Sequence, residues 1–327
     1  MKVLTLLEAV TDALRTEMAS DTSVVVLGED VGLEGGVFRA TAGLQRDFGE
    51  QRCFDTPISE SGIVGAAVGM AVAGLRPVVE IQFSGFAFPA FNQIVSHVSR
   101  IRNRTRGAMS APLVIRMPYG GGIRAPEHHS ESVEAFFGHI PGLKVVIPST
   151  PHDAKGLLIS AIRDPDPVIY LEPSRAYRAV RQEVPEEAYE IEIGAAHVEA
   201  EGEDLTLVSY GAQMMEARQA RAALAAEGRS VELIDLRTIY PFDAATVVES
   251  VRKTGRLLVV HEGPQSFGVG AELMATVMEH AFDLLEAPPA RLAGPDVIFP
   301  MPRGERHYLT SAEQVAAEAR KVMSYEP

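Results

Sequence analysis

Short, continuously apolar segments alternate with amphipathic ones along this chain, and this alternation restricts the possible fold more than any other feature. Val24-Val25-Val26-Leu27 is the clearest apolar run, and such a run is typical of a strand that is buried on both faces. Just before it, Thr5 and Glu8 form a capping-box pattern that precedes apolar residues at helical spacing. Strands that alternate with helices predict a doubly wound, mainly parallel α/β sheet.

The same pattern predicts two doubly wound α/β domains, as a length of 327 residues also suggests. Further strands are predicted over residues 77–83, 113–115, 144–147, 168–171, 205–210, 231–236 and 256–261. Further helices are predicted over residues 89–101, 153–163, 213–227, 243–253 and 270–285. A charged stretch over about 175–193 interrupts the alternation and is interpreted as a linker. We therefore expect a larger domain over residues 1–190 and a smaller one over residues 191–327.

Charge and cysteine content exclude several classes of function. The chain has 44 acidic and 30 basic residues, a formal net charge of −14, which argues against binding to nucleic acid and to anionic membrane surfaces. Cys53 is the single cysteine, so neither an intrachain disulfide nor a Cys-x-x-Cys zinc site can form. Apolar runs are shorter than a membrane-spanning helix requires, and the N-terminus turns acidic too early for a signal peptide. The sequence predicts a soluble, cytoplasmic protein.

The general catalytic motifs are absent, and two local patterns leave their meaning open. The sequence has no Walker A motif, no Gly-x-Ser-x-Gly and no His-Glu-x-x-His. Gly120-Gly121-Gly122 could bring a backbone close to a ligand, but a flexible loop is favoured. His128-His129 suits proton transfer. A zinc site and two surface histidines are the alternatives, although no thiolates would support the zinc.

Polar and aromatic residues follow two of the predicted strands. Glu29 comes after the first strand, and Gln82 and Phe83 end another. In open α/β sheets, ligands bind beyond the carboxyl ends of the strands. Glu60 opens a predicted helix, where the helix dipole favours its charge. Taken alone, these residues are better explained as a solvated carboxylate and a phenylalanine core than as a site.

Taken together, the ordered segments closely resemble the β subunit of the thiamine-diphosphate-dependent 2-oxo acid dehydrogenases, a transketolase-like family that includes the first components of the pyruvate and branched-chain complexes. The resemblance extends over the whole chain and implies an N-terminal pyrimidine-binding domain and a C-terminal assembly domain. The matching blocks include Leu27-Gly28-Glu29-Asp30-Val31, Asp55-Thr56-Pro57-Ile58-Ser59-Glu60, Gly74-Leu75-Arg76-Pro77, Phe88-Pro89-Ala90-Phe91-Asn92-Gln93, His129-Ser130, Pro141-Gly142-Leu143-Lys144, Asp235-Leu236-Arg237-Thr238-Ile239 and His261-Glu262.

This resemblance implies two catalytic residues, Glu60 and His129. Glu60 corresponds to the glutamate that activates the pyrimidine of thiamine diphosphate, because a carboxylate at a protonated ring nitrogen favours the reactive tautomer. His129 corresponds to the active-site histidine, which transfers protons and contacts the substrate on the route to lipoamide. The remaining positions implied for the cofactor are Glu29, Ile58, Ser59, Gln82 and Phe86, and those implied for the substrate are Phe83, Ser84, Gly85, Phe86 and His129.

The same resemblance implies two metal ions, a structural potassium and a magnesium. The family's structural potassium site, made mainly of backbone carbonyls, corresponds to Leu113, Ala161, Ile162, Asp164 and Asp166. Asp166 replaces an asparagine that is often found there, so the identity of the ion stays open. The Gly-Asp-Gly motif that holds magnesium and the diphosphate in thiamine enzymes does not occur in this sequence. The resemblance therefore implies that an α subunit holds the magnesium in an α2β2 heterotetramer, which also docks a lipoyl acyltransferase.

Oxidative decarboxylation of a 2-oxo acid, with reductive acylation of lipoamide, is the implied reaction. Gln82-Phe83, His129-Ser130-Glu131-Ser132 and Leu171-Glu172-Pro173 favour the branched-chain type of substrate. The alternatives are the β subunit of a pyruvate or acetoin dehydrogenase, and a scaffold or regulatory subunit without catalysis. The presence of both Glu60 and His129 argues against the latter.

Overall fold

The computed structural model describes residues 1–326, and its strands form three sheets. In chain order the strands are β1 (Lys2–Thr5), β2 (Val24–Gly28), β3 (Cys53–Asp55), β4 (Arg76–Glu80), β5 (Val114–Tyr119), β6 (Lys144–Val146), β7 (Val168–Pro173), β8 (Arg181–Val184), β9 (His197–Ala200), β10 (Leu205–Ser209), β11 (Val231–Asp235), β12 (Thr238–Tyr240), β13 (Leu257–Pro264) and β14 (Ala290–Gly294). Two of the three sheets are large and mainly parallel, so the predicted fold class is confirmed.

The helices follow the strands in the alternation that the sequence predicts. They are α1 (Leu6–Ser20), α2 (Leu44–Phe48), α3 (Glu60–Val72), α4 (Phe91–Gln93), α5 (Ile101–Arg104), α6 (Glu134–Gly138), α7 (Pro151–Arg163), α8 (Met214–Ala226), α9 (Ala244–Thr254), α10 (Val269–Ala281), α11 (Glu305–Tyr308) and α12 (Ala312–Met323). The capping box at Thr5 and Glu8 is present at the start of α1. In the part of the chain that the structure describes, no helix has both the length and the apolar character needed to span a membrane.

The first large sheet has seven strands in the order β12-β6-β7-β5-β4-β2-β3. Strands β2 to β7 run parallel to one another, and all of β2 is buried, as its apolar run predicts. The edge strand β12 is antiparallel and comes from the second half of the chain. The second half therefore completes the first sheet, while the predicted boundary at residue 190 stays a prediction.

The predicted linker is only partly irregular. Strand β8 lies within it and pairs antiparallel with β1 at the N-terminus. Pro185 and Glu186 follow β8 directly. Their carbonyls accept hydrogen bonds from the buried Nζ of Lys155 in α7, at 2.7 Å and 2.9 Å. Asp12 balances its charge at 2.7 Å. Because a buried ammonium needs such partners, Lys155 fastens this segment to the first domain.

The second large sheet has the order β14-β13-β10-β11-β9. Strands β14, β13, β10 and β11 are parallel, and β9 is an antiparallel edge strand. Helix α12, which packs against this sheet and α8, is missing from the sequence prediction. Its capping box at Ser311 and Gln314 is readable in the sequence and could have identified it.

The prediction of a single regular helix over residues 89–101 is wrong. The segment begins as a 3₁₀ helix (Ser84–Ala90), continues through α4 into a π-helix (Ile94–Val98) and ends in α5. Pro89 lies inside the 3₁₀ helix and has no N–H to donate, which favours the interruption of regular helix. The irregular start turns the aromatic residues that follow β4 toward the candidate site.

Candidate active site

The residues implied for the cofactor and the substrate lie on three neighbouring segments of the first sheet. Glu29 directly follows β2, Glu60 opens α3 just beyond β3, and Gln82 follows β4. Because β2 lies between β3 and β4 and all three strands are parallel, their carboxyl ends meet at the same edge of the sheet. This edge is where open α/β sheets bind ligands.

Glu29 is buried at this edge, with only 7% of its surface exposed. Its Oε1 has no hydrogen-bond partner within the described chain. Burial is the main cause that raises the pKa of Glu29, and the negative charges of Glu60 and Asp30 raise it further, whereas the Ser59 amide acts in the opposite direction. A buried carboxylate oxygen without a hydrogen-bond partner is costly, and carboxylates with a perturbed pKa are often found at functional sites.

Glu60 begins α3, as the sequence predicts, and it is half-buried. The helix dipole favours a negative charge at this position. Beside it, the side chain of Ile58 is 85% exposed. Gln82 lies on the other side of β2, where its Nε2 donates to Asp30 Oδ2 at 3.1 Å. The edge thus combines carboxylates with an apolar side chain that is open to a ligand.

An aromatic cluster borders these carboxylates. The ring centroids of Phe83 and Phe86 are 5.5 Å apart, and His129 lies 4.5 Å from Phe83 and 5.1 Å from Phe86. The 3₁₀ helix that starts directly after Phe83 and contains Phe86 packs against α3. Phe83 is buried, whereas Phe86 is half-buried. The five residues implied for the substrate therefore lie on two segments that meet at one aromatic wall.

Ser84 and Gly85 hold these two segments together. Ser84 Oγ donates to the carbonyl of Glu131 at 2.8 Å. A Cβ added at Gly85 would lie 2.3 Å from the carbonyl oxygen of His128, a distance that real side chains do not reach. Glycine at position 85 is therefore what lets the histidine segment approach the end of β4.

The two adjacent histidines have different surroundings. His128 is exposed, and its ring lies 5.5 Å from Phe86 and 6.2 Å from Phe88. His129 is half-buried, and its Nδ1 is buried without a hydrogen-bond partner among residues 1–326. Nδ1 of His129 is thus a buried polar atom whose hydrogen bond is unmet in this chain. Within the same range, no three His, Cys, Asp or Glu side chains are grouped in a way that could hold a metal ion.

Sequence reasoning missed several neighbours of the site. Phe38 contacts Phe83 edge to face at 5.5 Å and Tyr177 at 5.1 Å. Phe38 follows a glycine-rich loop, and no pattern in the sequence connects it to residues so far along the chain. The segment Gly120-Gly121-Gly122, expected to be a flexible loop, is instead packed against Arg175 and residues of the second half.

The residues implied for a potassium ion lie together at one end of α7, and several of their oxygens already have partners. Arg76 Nη1 donates to the carbonyls of Ile162 (2.7 Å) and Asp164 (3.2 Å). The carbonyl of Leu113 accepts from Val168 N at 3.1 Å. The Asp166 carboxylate pairs with Arg102 at 2.5 Å. A potassium ion here would share oxygens with Arg76, and the site stays a prediction.

Comparison with known proteins agrees with this geometry. Residues 2–180 match the transketolase pyrimidine-binding domain family, and residues 194–315 match the transketolase C-terminal domain family. The chain is 55% identical to the pyruvate dehydrogenase E1 component subunit beta of Acholeplasma laidlawii over 327 residues, which is the full length of both chains. It is 50% identical to the protein of the same name from Bacillus subtilis (strain 168) over 325 residues, 99% of this chain and 100% of that one.

A solved structure supports the fold independently. A split-gene transketolase, described as an inactive β4 tetramer, superimposes with a TM-score of 0.81, with 99% of this chain and 100% of that chain covered, at 23% sequence identity. The two domain matches, the full-length relatives and the resemblance of the site all agree. The chain belongs to the transketolase-like β subunits of the thiamine-diphosphate-dependent 2-oxo acid dehydrogenases, the family of the pyruvate dehydrogenase E1 β subunits.

Proposed function

We propose that this chain supplies the pyrimidine half of a thiamine diphosphate site in an α2β2 heterotetramer, and that the tetramer decarboxylates pyruvate oxidatively and acylates lipoamide. The observation that carries the proposal is the buried Oε1 of Glu29, which has no hydrogen-bond partner within residues 1–326 in a carboxylate whose pKa the nearby charge of Glu60 helps to raise. The names of the full-length relatives favour pyruvate as the substrate. The branched-chain preference is not confirmed and stays a rival prediction.

The residues at this edge fit a pyrimidine ring. An aminopyrimidine presents an apolar face together with ring nitrogens that take up or donate protons. The exposed side chain of Ile58 and the half-buried ring of Phe86 can pack on such a face. Glu60 and the unpartnered oxygen of Glu29 can accept hydrogen bonds from nitrogen-bound protons. Because Glu29 and Glu60 are carboxylates, this edge favours a ring that is neutral or positively charged over one that is negatively charged.

When bound, thiamine diphosphate would supply the carbon nucleophile and the electron sink that decarboxylation of a 2-oxo acid needs. In our proposal, Glu60 holds a proton at a pyrimidine ring nitrogen, and the N-terminus of α3 stabilises its negative charge. Glu29, Ser59 and Gln82 complete the pocket around the ring. Burial and the charge of Glu60 raise the pKa of the nearby Glu29 carboxyl, which favours its taking up a proton.

His129 is the proposed proton-transfer residue at the substrate end. Phe83 and Phe86 contact its ring edge to face, so they orient it and keep water from one side. Its unpartnered Nδ1 can bind the substrate carboxylate or pass a proton during transfer of the acyl group to lipoamide. Ser84 and Gly85 act by placing the histidine segment against this wall.

The proposed α subunit partner is inferred from a motif that this sequence does not contain. Since Gly-Asp-Gly does not occur here, we propose that the α subunit holds magnesium and the diphosphate, as magnesium needs oxygen ligands. A lipoyl acyltransferase accepts the acyl group. A structural potassium ion at Leu113, Ala161, Ile162, Asp164 and Asp166 remains part of the proposal, with Arg76 as its competitor for two carbonyls.

A comparison of substrates tests the assignment to pyruvate. The reconstituted tetramer is assayed for kcat/KM with pyruvate, with 3-methyl-2-oxobutanoate and with acetoin. Additional methyl groups in a small apolar pocket change the specificity by about 10-fold to 200-fold, so pyruvate should be preferred by at least about tenfold. Preference for the branched acid would establish the branched-chain prediction instead, and preference for acetoin would establish the acetoin dehydrogenase alternative. No turnover with any substrate would favour a scaffold subunit.

A further inference from the structure

The loop that carries His129 is held by carboxylates from the second half of the chain. It leaves β5 at Gly120 and returns at Glu131, where Gly120 N donates to the carbonyl of Glu131 at 3.0 Å. Ser84 Oγ donates to the same carbonyl. The closed base of the loop thus lies at the aromatic wall, and the glycine segment extends away from it toward the second sheet.

Glu262 and Glu305 accept hydrogen bonds from the backbone of this loop. Glu262, near the end of β13, accepts from the amide of Gly121. Glu305, the first residue of α11, accepts through Oε1 from the amides of Gly122 (2.5 Å) and Arg124 (3.3 Å). Both carboxylates are buried. Hydrogen bonds from backbone amides to buried carboxylates are among the stronger ones in proteins.

The glycines are required by the closeness of this contact. A Cβ at Gly120 would lie 2.7 Å from Glu262 Oε1, one at Gly121 would lie 2.1 Å from the Phe299 ring, and one at Gly122 would lie 2.1 Å from Arg175 Cδ. Gly120 and Gly122 also have φ values of +80° and +91°, which favour glycine. The three-glycine segment therefore serves contact between the two halves of the chain.

The charges around Glu262 are partly balanced. Arg175 lies 3.8 Å from Glu262 and also pairs with Glu216. Burial is the main cause that raises the pKa of Glu262 to about 7, and Arg175 and the Gly121 amide oppose the increase. Removal of the Glu262 carboxylate would leave the buried Gly121 amide without its acceptor, and a buried donor without an acceptor is destabilising.

We propose that Glu262 and Glu305 are positioning residues that fix the loop over residues 120–131 and so hold His129 against Phe83 and Phe86. The proposal rests on the role of His129 in the proposed function. Neither carboxylate touches the substrate; each acts through the backbone of the loop. The second domain therefore sets the geometry of acyl transfer in addition to its part in assembly.

Glu305 is the better residue for a test, because Glu262 lies deeper between the two halves. Four variants are compared with the wild type in the α2β2 tetramer. Glu305→Ala removes the acceptor, Glu305→Gln keeps an oxygen acceptor without the charge, and Glu279→Ala removes an exposed carboxylate from α10. Gly122→Ala disturbs the same contact from the loop side, where Arg175 would be displaced.

Two readouts separate positioning from general stability. Amide hydrogen exchange of the peptide over residues 120–131 should become faster in Glu305→Ala and Gly122→Ala, while exchange in β10 and β13 stays as in the wild type. Turnover with lipoamide should fall about tenfold or more, because misplacement of a catalytic group by about 1 Å can cost about 100-fold. Turnover with an artificial electron acceptor should stay unchanged. Glu305→Gln should restore both readouts, and Glu279→Ala should match the wild type.

The proposal is overturned if exchange over 120–131 in Glu305→Ala equals that of the wild type. It is also overturned if the exchange becomes faster without any loss of lipoamide turnover, or if Glu305→Gln is as impaired as Glu305→Ala. Failure of the wild-type tetramer to acylate lipoamide would contradict the proposed function instead. The exchange comparison would then still decide whether Glu305 holds the loop.

Discussion

The rings of Phe83 and His129 meet edge to face, with their centroids 4.5 Å apart and their planes inclined at 67°. Contacts of this kind contribute about 0.5–1.5 kcal/mol beyond the burial of area. Phe83 follows β4, whereas His129 ends the 3₁₀ helix Glu127–His129. The contact therefore fixes a titratable ring from one segment against the wall formed by another, and Nδ1 stays without a partner in the described chain.

Replacement of His129 tests its proposed role in acyl transfer. His129→Ala should lower lipoamide-dependent turnover by about 100-fold or more, because a positioned proton-transfer group contributes about 10²–10⁴. Decarboxylation measured with an artificial electron acceptor should be less affected. The adjacent His128→Ala is the matched control and should retain both activities, since His128 is exposed. Equal loss in both assays would move His129 to an earlier step.

Replacement of Glu60 tests activation of the pyrimidine. Glu60→Gln keeps the size of the side chain but removes the carboxylate that would hold the ring proton. Turnover should fall by about 10²–10⁴ in both assays, while gel filtration still shows the assembled tetramer. Glu50→Gln, an exposed glutamate from the preceding loop, is the control. Near-normal turnover of Glu60→Gln would exclude its assigned role.

The buried arginine of β5 should matter for stability. Arg116 Nη1 donates to Glu80 at 2.8 Å, its Nε lies 2.7 Å from Glu172, and Tyr177 donates to Glu172 at 2.6 Å. Arg116→Met would leave two buried carboxylates without their cation and should cost about 3–5 kcal/mol. Urea unfolding of the tetramer measures the loss. The exposed Arg100→Met should change the midpoint very little, and an equally small effect of Arg116→Met would contradict this account.

His261 predicts a specific dependence of stability on pH. Burial, helped by the charge of Arg291, lowers the pKa of His261 from 6.5 to about 4. The unfolded chain then binds a proton at higher pH than the folded chain does. The stability contributed by neutral His261 is therefore complete above pH 6.5 and is lost as the pH falls toward 4.

The His261→Leu variant isolates this effect. The free energy of unfolding of the wild type, minus that of the variant, should decrease as the pH falls from 6.5 to 5, with a slope that approaches about 1.4 kcal/mol per pH unit near pH 5. Other titrating groups are present in both proteins and cancel in the difference. Urea titrations at fixed protein concentration between pH 5 and 8 provide the measurement. A difference that does not change over this range would show that His261 takes up its proton equally in both states.

The architecture is predictable from the sequence because buried strands and helices impose a characteristic pattern of apolar residues. The run that became β2 is apolar throughout, as a strand covered on both faces must be. The short edge strands β9 and β12 have a weaker hydrophobic pattern. Strand β12 has only three residues and pairs with a strand from the other half of the chain. Long-range pairing of this kind is not encoded in local periodicity.

The site was accessible to sequence reasoning only through the resemblance to a family. Taken alone, Glu29, Glu60 and Phe83 gave no reason to prefer a site over a solvated surface and an apolar core. The contacts of Phe38 and Glu305 could not be predicted in either way, because they join segments that are distant along the chain. The three glycines at 120–122 favour a flexible loop when the sequence is considered alone, whereas in the structure they pack closely against the second half of the chain and Arg175.

The central claim is that this chain carries only half of an active site and works with an α subunit. The most direct measurement is release of CO₂ from carboxyl-labelled pyruvate by the purified chain, by a purified α chain that contains Gly-Asp-Gly, and by their mixture, each with thiamine diphosphate and magnesium. The account predicts release by the mixture alone, and loss of that release when the chain carries Glu60→Gln. Release by this chain without α, or no release by an assembled tetramer from pyruvate or any other 2-oxo acid, would contradict it.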